Sequence, residues 1–364
     1  MEKMTTPRLL LLIALSCIVA ASCRSARCQD LAGTTNWKVQ KLAVGVHGYG
    51  GGNSKGARAR GGTIFIIDTP GSTPRQLVHG GYSAFSPDGT KIAYCTMVWN
   101  FDRGQIEVIG ADGSGRTELT HVRGGLCDPG QSPPDWSPDG EKLAIAAYGG
   151  RKPMVEVMGK NGDNLTTLTE GVSPRWSPDG NQLSFCRTVV DLRNSLSHAP
   201  RSHNSIWVIN ADGTGEKKLW DFPQSTRFYS CATWLPDGKG VAFSLCDARN
   251  QTQFGCSQPS PIVRVNLDGN GPEEIASDER FELFNPLFFS PDGKVLLATG
   301  QPTYSPAEYT AKIKELSSQH GQERHRDLFA RQIVSFDLAS HEFTAIAPLS
   351  SAAWNLEGVV WQQK

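Results

Sequence analysis

The chain has 364 residues, and its 36 Lys and Arg balance 36 Asp and Glu, so no net field draws it to nucleic acid or anionic lipid. Its 38 Gly and 22 Pro break long helices and coiled coils, while 38% hydrophobic residues suffice for a core and exclude wholesale disorder. What remains is an all-β protein of many short strands and tight turns.

At the N-terminus, Lys3 and Arg8 precede an apolar run from Leu9 to Ala21, and the chain then reads Val19-Ala20-Ala21-Ser22-Cys23. Basic, then apolar, then small residues is the order of a secretory signal, so residues 1–22 are expected to be removed. Small residues directly before a cysteine resemble the bacterial lipobox, which implies lipidation of Cys23. Arg24, in place of an inner-membrane retention Asp, then favours an outer-membrane anchor. Ordinary cleavage near Ser22 gives a soluble product instead. Both routes lead to a periplasmic or outer-membrane-anchored protein, with membrane contact only through the lipid. Residues 23–61 read as a tether, in which residues 37–47 (WKVQKLAVGVH) offer one further strand.

From residue 62 onward a repeat governs the chain. It reads FSPDG at 85–89, WSPDG at 136–140 and 176–180, WLPDG at 234–238 and FSPDG at 289–293. Each copy is followed by an apolar strand (KIAYC, KLAIA, QLSFC, GVAFS, KVLLA) and, in the first four after a variable gap, by a second strand ending in Asp-Gly or Asn-Gly. In the turn, Pro fixes φ, Asp bonds back to the backbone and Gly takes the left-handed conformation that closes a hairpin. The aromatic before it is large enough to fill the wedge between neighbouring sheets. Each unit is thus a four-stranded antiparallel sheet with strands A to D, and radial repetition buries its faces. Complete blades fall at 82–120, 134–169, 173–220, 231–276 and 285–348. The sixth combines C and D strands at 63–78 with A and B strands from SAAWNLEGVVWQ, where Leu356-Glu357-Gly358 stands in for the Pro-Asp-Gly turn. The expected fold is therefore a six-bladed β-propeller closed by both termini, with seven blades as the alternative if residues 37–47 begin another.

This pattern is similar to the propeller repeat of the TolB family, from about Gly62 to the C-terminus. The resemblance implies a monomeric, periplasmic propeller that holds a protein or peptide segment of the envelope. It covers the propeller alone, because the family carries an α/β domain ahead of it and here only some 40 residues separate Cys23 from the first repeat strand. The same repeat occurs in peptidases and in polysaccharide lyases that use a channel metal.

A–B and C–D turns share one face and are short. The long connections, at 95–105, 121–133, 186–205, 220–231, 244–261, 277–285 and 299–331, emerge on the other, where binding residues concentrate on a rigid scaffold. Trp99, Phe101, Arg103, Arg123, Arg193, His203, Arg227, Tyr229, Arg280 and Tyr304 lie there and are of the types that anchor protein contacts. Ser305 and Pro306 open a helical insertion over 305–330. Cys95 and Cys186 end strand B in two blades, and Cys127 and Cys231 enter the following strand A. The expected disulfides are therefore Cys95–Cys127 and Cys186–Cys231, with Cys246–Cys256 bracketing one loop.

No G-x-S-x-G, C-x-x-C, P-loop or H-E-x-x-H motif occurs, so no catalytic residue, metal or cofactor is assigned. The sequence reads as a protein-binding or scaffold module. The rival is a metal-dependent polysaccharide lyase or glycan hydrolase, which would use loop residues such as His198, His203, Asp191, His320, His325 and Asp327.

Overall fold

In the computed structural model the described residues are 37–46, 62–69, 72–97, 104–119, 133–147, 152–190, 202–222, 226–227, 232–247, 251–252, 255–256, 260–303, 308, 311, 314, 331–348 and 354–363. They form six four-stranded antiparallel sheets. Blade 1 runs β28 (Trp354–Gln363), β1 (Trp37–Val46), β2 (Thr63–Ile67), β3 (Arg75–His79) from the axis outward. Blade 2 is β4 (Gly81–Phe85), β5 (Lys91–Met97), β6 (Gly104–Gly110), β7 (Thr117–Glu118). Blade 3 is β8 (Asp135–Trp136), β9 (Lys142–Ala147), β10 (Met154–Gly159), β11 (Thr166–Glu170). Blade 4 is β12 (Val172–Trp176), β13 (Gln182–Val190), β14 (Ser202–Asn210), β15 (Lys217–Asp221). Blade 5 is β17 (Thr233–Trp234), β18 (Gly240–Ser244), β22 (Ile262–Asn266), β23 (Glu273–Ala276). Blade 6 is β24 (Phe281–Phe289), β25 (Val295–Pro302), β26 (Gln332–Asp337), β27 (Glu342–Pro348). Two small ladders, β16 (Thr226–Arg227) with β19 (Cys246–Asp247) and β20 (Gln251–Thr252) with β21 (Gly255–Cys256), sit among the connections of blade 5. The inner strands touch in the order β28, β4, β8, β12, β17, β24 and back to β28, so the ring is closed.

The turn repeat does what its residues dictate. Gly89, Gly140, Gly180, Gly238 and Gly293 take φ of 68, 72, 71, 70 and 69°. A contribution not anticipated comes from the serine. In four turns its hydroxyl donates to the turn Asp and accepts the first amide of strand B: Ser86 to Asp88 at 2.6 Å with Lys91 N at 2.9 Å, and Ser290 to Asp292 at 2.7 Å with Val295 N at 3.0 Å. Ser137 and Ser177 repeat the arrangement. These hydroxyls hold Asp88, Asp139 and Asp179 below the usual carboxylate range.

Between blades, the wedge aromatics are buried as expected: Trp136, Trp176 and Trp234. Trp136 and Trp234 also send their indole N–H to a carbonyl of the preceding inner strand, Ala84 at 3.3 Å and Arg175 at 2.9 Å. Behind them lie apolar layers, such as Ala43, Ile64 and Ile66 of blade 1 against Ile92, Tyr94 and Ile109 of blade 2. Each fully buried Ile or Leu in these layers is worth about 1.5–3 kcal/mol, so the interfaces and not the single sheets carry the fold.

The closing blade corrects the sequence reading in two respects. The expected extra strand exists, as β1, but it is strand B of blade 1 and adds no seventh blade. Leu356-Glu357-Gly358 is no turn: β28 is one strand, and Glu357 is an extra residue in it between the pairs Ala43–Gly358 and Val44–Leu356. Gly358 serves space and not curvature, since a Cβ there would lie 2.9 Å from Phe85 of blade 2. In the expected helical insertion, Glu308, Ala311 and Lys314 are helical and exposed.

Candidate functional site

Two regions carry polar side chains in positions that the fold alone does not require: the rim of long connections and the inner strands around the axis. At the rim, the β13–β14 ladder continues to the pair Val190–Ser202 and carries His203 opposite Val189. Arg227 pairs with Cys246 across β16 and β19, which ties the connection into blade 5 to its B–C loop. For His203, Arg227, Cys246 and Cys256 only the backbone is described. Trp99, Phe101, Arg103, Arg123, Arg193, Tyr229 and Tyr304 lie outside the described residues, as do Cys23, Cys127, Cys231 and the loop histidines His198, His320 and His325. Among the described residues no group of three or more His, Cys, Asp or Glu could hold a metal ion.

Arg280 is fully described. It is exposed, and its guanidinium forks onto Asp278, Nε to Oδ1 at 2.8 Å and Nη2 to Oδ2 at 2.6 Å. The same group lies over the Phe281 and Phe343 rings at 5.8 and 6.0 Å. The pair holds Asp278 below the usual carboxylate range. The fork and the two rings orient the exposed guanidinium at the rim.

Cys95 and Cys186 occupy equivalent ends of strand B and are both buried. Cys186 is a buried thiol in the apolar layer with Ile206, Val208 and Phe243, which corrects the expected Cys186–Cys231 disulfide.

At the axis, side chains of one blade satisfy the free edge of the next. Asp135 of blade 3 takes the Trp176 amide at 2.7 Å and Arg175 Nη1 at 3.1 Å from blade 4. Burial pushes the Asp135 carboxyl up, against the pull of Arg175 and the Trp176 amide. Thr233 of blade 5 donates to the Leu287 carbonyl of blade 6 at 3.2 Å, and Ser244 to the Leu283 carbonyl at 2.6 Å. Thr299 of blade 6 accepts the Leu356 amide of blade 1 at 2.9 Å. Glu357 of blade 1 takes the amides of Tyr82 and Ser83 at 3.2 and 3.1 Å and the Ser83 hydroxyl at 2.6 Å. An open inner edge would be a template for a foreign strand; at these positions the backbone groups are already taken.

Farther out, Arg187 bridges blades 3 and 4. Its guanidinium stacks 4.2 Å from the Trp207 ring, pairs with Glu216 at 2.7 Å and donates to Glu170 O at 2.9 Å and Thr169 Oγ1 at 2.7 Å. Sequence reasoning missed this residue. The signal was present, an Arg two positions after the buried aromatic of strand B, but nothing in one sequence ties it to Trp207.

The described residues form a six-bladed β-propeller whose fold is similar to that of TolB. Solved structures agree on the fold: TolB from Acinetobacter baumannii superposes with a TM-score of 0.54 at 16% identity, covering 89% of this chain and 65% of that one. A structure assigned to TolB from Agrobacterium tumefaciens gives 0.52 at 14% identity, covering 90% of this chain and 99% of that one. Among curated proteins, an uncharacterized protein of Agrobacterium fabrum is 23% identical over 188 residues, 50% of this chain and 60% of its own length. No protein-family model matches the chain.

Proposed function

We propose that the chain is an exported β-propeller that binds a protein or peptide segment of the bacterial envelope through its rim of long connections, tethered by a lipid on Cys23. One observation carries this reading. The strand order of the six sheets makes the long connections start and end on one side of the ring, and on that side Arg280 stands beside Asp278, Phe281 and Phe343. Loops on a rigid scaffold are where binding residues concentrate, and Arg is among the residue types that anchor protein contacts. The fold likeness to TolB structures supports the same class, and the order of residues 1–23 supports export.

The capped inner edges favour a partner read by side chains at the rim over one that adds a strand at the axis. Disulfides Cys95–Cys127 and Cys246–Cys256 are part of the proposal, since each would staple a rim loop in an oxidising compartment. Cross-linking in the native envelope with the partner identified by mass spectrometry tests the reading. Capture of one protein, lost on replacing Arg280 together with Tyr304 by Ala, supports it. A stoichiometric divalent ion with glycan binding and no protein captured would sink it.

A further inference from the structure

The ring is joined end to end by a single non-covalent strand pair, β28 with β1. On its axis side β28 has no strand neighbour and is fastened by side chains. Glu357 is the principal one, because the bulge turns its side chain out of the β28–β1 ladder toward blade 2. The residue is 7% exposed, and its carboxylate collects two consecutive amides and one hydroxyl from β4. The chain has cleared room for it. A Cβ at Gly45, on β1, would lie 1.9 Å from Glu357 Oε1, so only glycine fits there.

The receiving strand meets the carboxylate with a conformation that the repeat also uses elsewhere. Tyr82 takes φ of 54°, as Ser173 does at the matching place in blade 4 with 58°, and here the Tyr82 and Ser83 amides both reach Glu357. The other five blades place Ser83, Pro134, Pro174, Ala232 and Leu287 at the corresponding position of strand A, so a carboxylate occurs there only in the blade that closes the ring.

We propose that Glu357 is the latch of the propeller: it couples β28 to blade 2, and its release opens the ring at the β28–β1 seam while the other blades stay folded. The charge is what makes it a latch, since a carboxylate accepts from three donors where a carboxamide accepts at one oxygen and points an N–H₂ at an amide. Opening bares the inner edge of β1 and the Tyr82–Ser83 amides together.

Hydrogen exchange on the full chain, read by peptide mass spectrometry, tests this. In Glu357→Gln, amides of β28, β1 and Tyr82–Ser83 should exchange about 10- to 100-fold faster, the factor expected when charge-assisted bonds are lost from a local opening. Amides of β9 and β13, in blades 3 and 4, should exchange as in the parent protein. Ser83→Ala, which removes one of the three bonds, should give a smaller change confined to the same peptides. A Lys38→Cys/Gln362→Cys pair joins exposed, directly opposed residues of β1 and β28, and its disulfide should restore protection to Glu357→Gln. Acceleration spread evenly over all blades, or no acceleration at the seam in either single variant, overturns the latch. So does seam exchange that the disulfide leaves unchanged.

Discussion

Ser290→Ala probes the turn repeat at its most buried copy, where the serine is 0% exposed. The hydroxyl makes two bonds, one to the Asp292 carboxylate at 2.7 Å and one from the Val295 amide at 3.0 Å. Deleting it loses a bond to a charged group and leaves a buried amide without its side-chain acceptor, together about 2–3 kcal/mol. Blade 5 supplies the natural comparison, for Leu235 stands in the serine's place. That turn still closes, with Leu235 N on Gly240 O and Gly238 N on Leu235 O, both at 2.9 Å. The substitution should therefore lower stability and leave the fold intact. Urea unfolding should show a lower midpoint with an unchanged slope, and Ser137→Ala with Ser290→Ala should be additive, because the turns belong to different blades. A loss below about 0.5 kcal/mol, the level of an ordinary surface change, would refute the account of the serine, as would a double variant far from the sum.

Arg187→Lys keeps the charge but loses the planar stack on Trp207 and the fork to Glu216. It should cost about 1–2 kcal/mol, measured by the same titration. Acid should destabilise the protein through the turn aspartates. Asp88, Asp139 and Asp179 lie below their ordinary 3.8 in the fold, so their stabilisation is complete above that value and is lost as pH falls through the depressed range. Ser→Ala in these turns should flatten the acid limb of the stability curve. Asp135 has the opposite sign: burial raises it above 3.8, the folded state holds its proton more tightly, and stability declines as pH rises until the folded carboxyl has ionised. Asp135→Asn should remove that decline, which thermal unfolding across the pH range would show.

Most of the architecture was legible because it rests on local rules repeated five times. Pro-Asp-Gly fixes a hairpin wherever it occurs, and an aromatic before it has one place to go. The closing blade was misread for a related reason. Leu356-Glu357-Gly358 looks like a worn copy of the turn, and only the pairing with β1, some 300 residues away in sequence, shows that glycine and glutamate are there for Phe85 and for the Tyr82–Ser83 amides. Cys186 misled for another reason: it holds the same repeat position as Cys95, and position in the repeat alone does not decide pairing. The inner-strand caps Asp135, Thr233 and Thr299 were illegible, because each is defined by a neighbour in the next blade.

Strand β1 sits between β28 and β2, so the first blade strand to be synthesised cannot be completed on its axis side until the last one exists. About 300 residues separate Val46 from Trp354, and at roughly 5–20 residues per second that is on the order of 15–60 s of synthesis. Throughout that interval one edge of the apolar segment Leu42-Ala43-Val44 waits without its partner. A nascent or truncated chain thus exposes the kind of edge that self-association exploits. Loss of the final ten residues, Asn355–Lys364, would leave that edge bare for the life of the molecule. Carrier holdases would be needed most early in the life of this protein, and a C-terminal nonsense change should leave it insoluble even though five complete blades are encoded upstream.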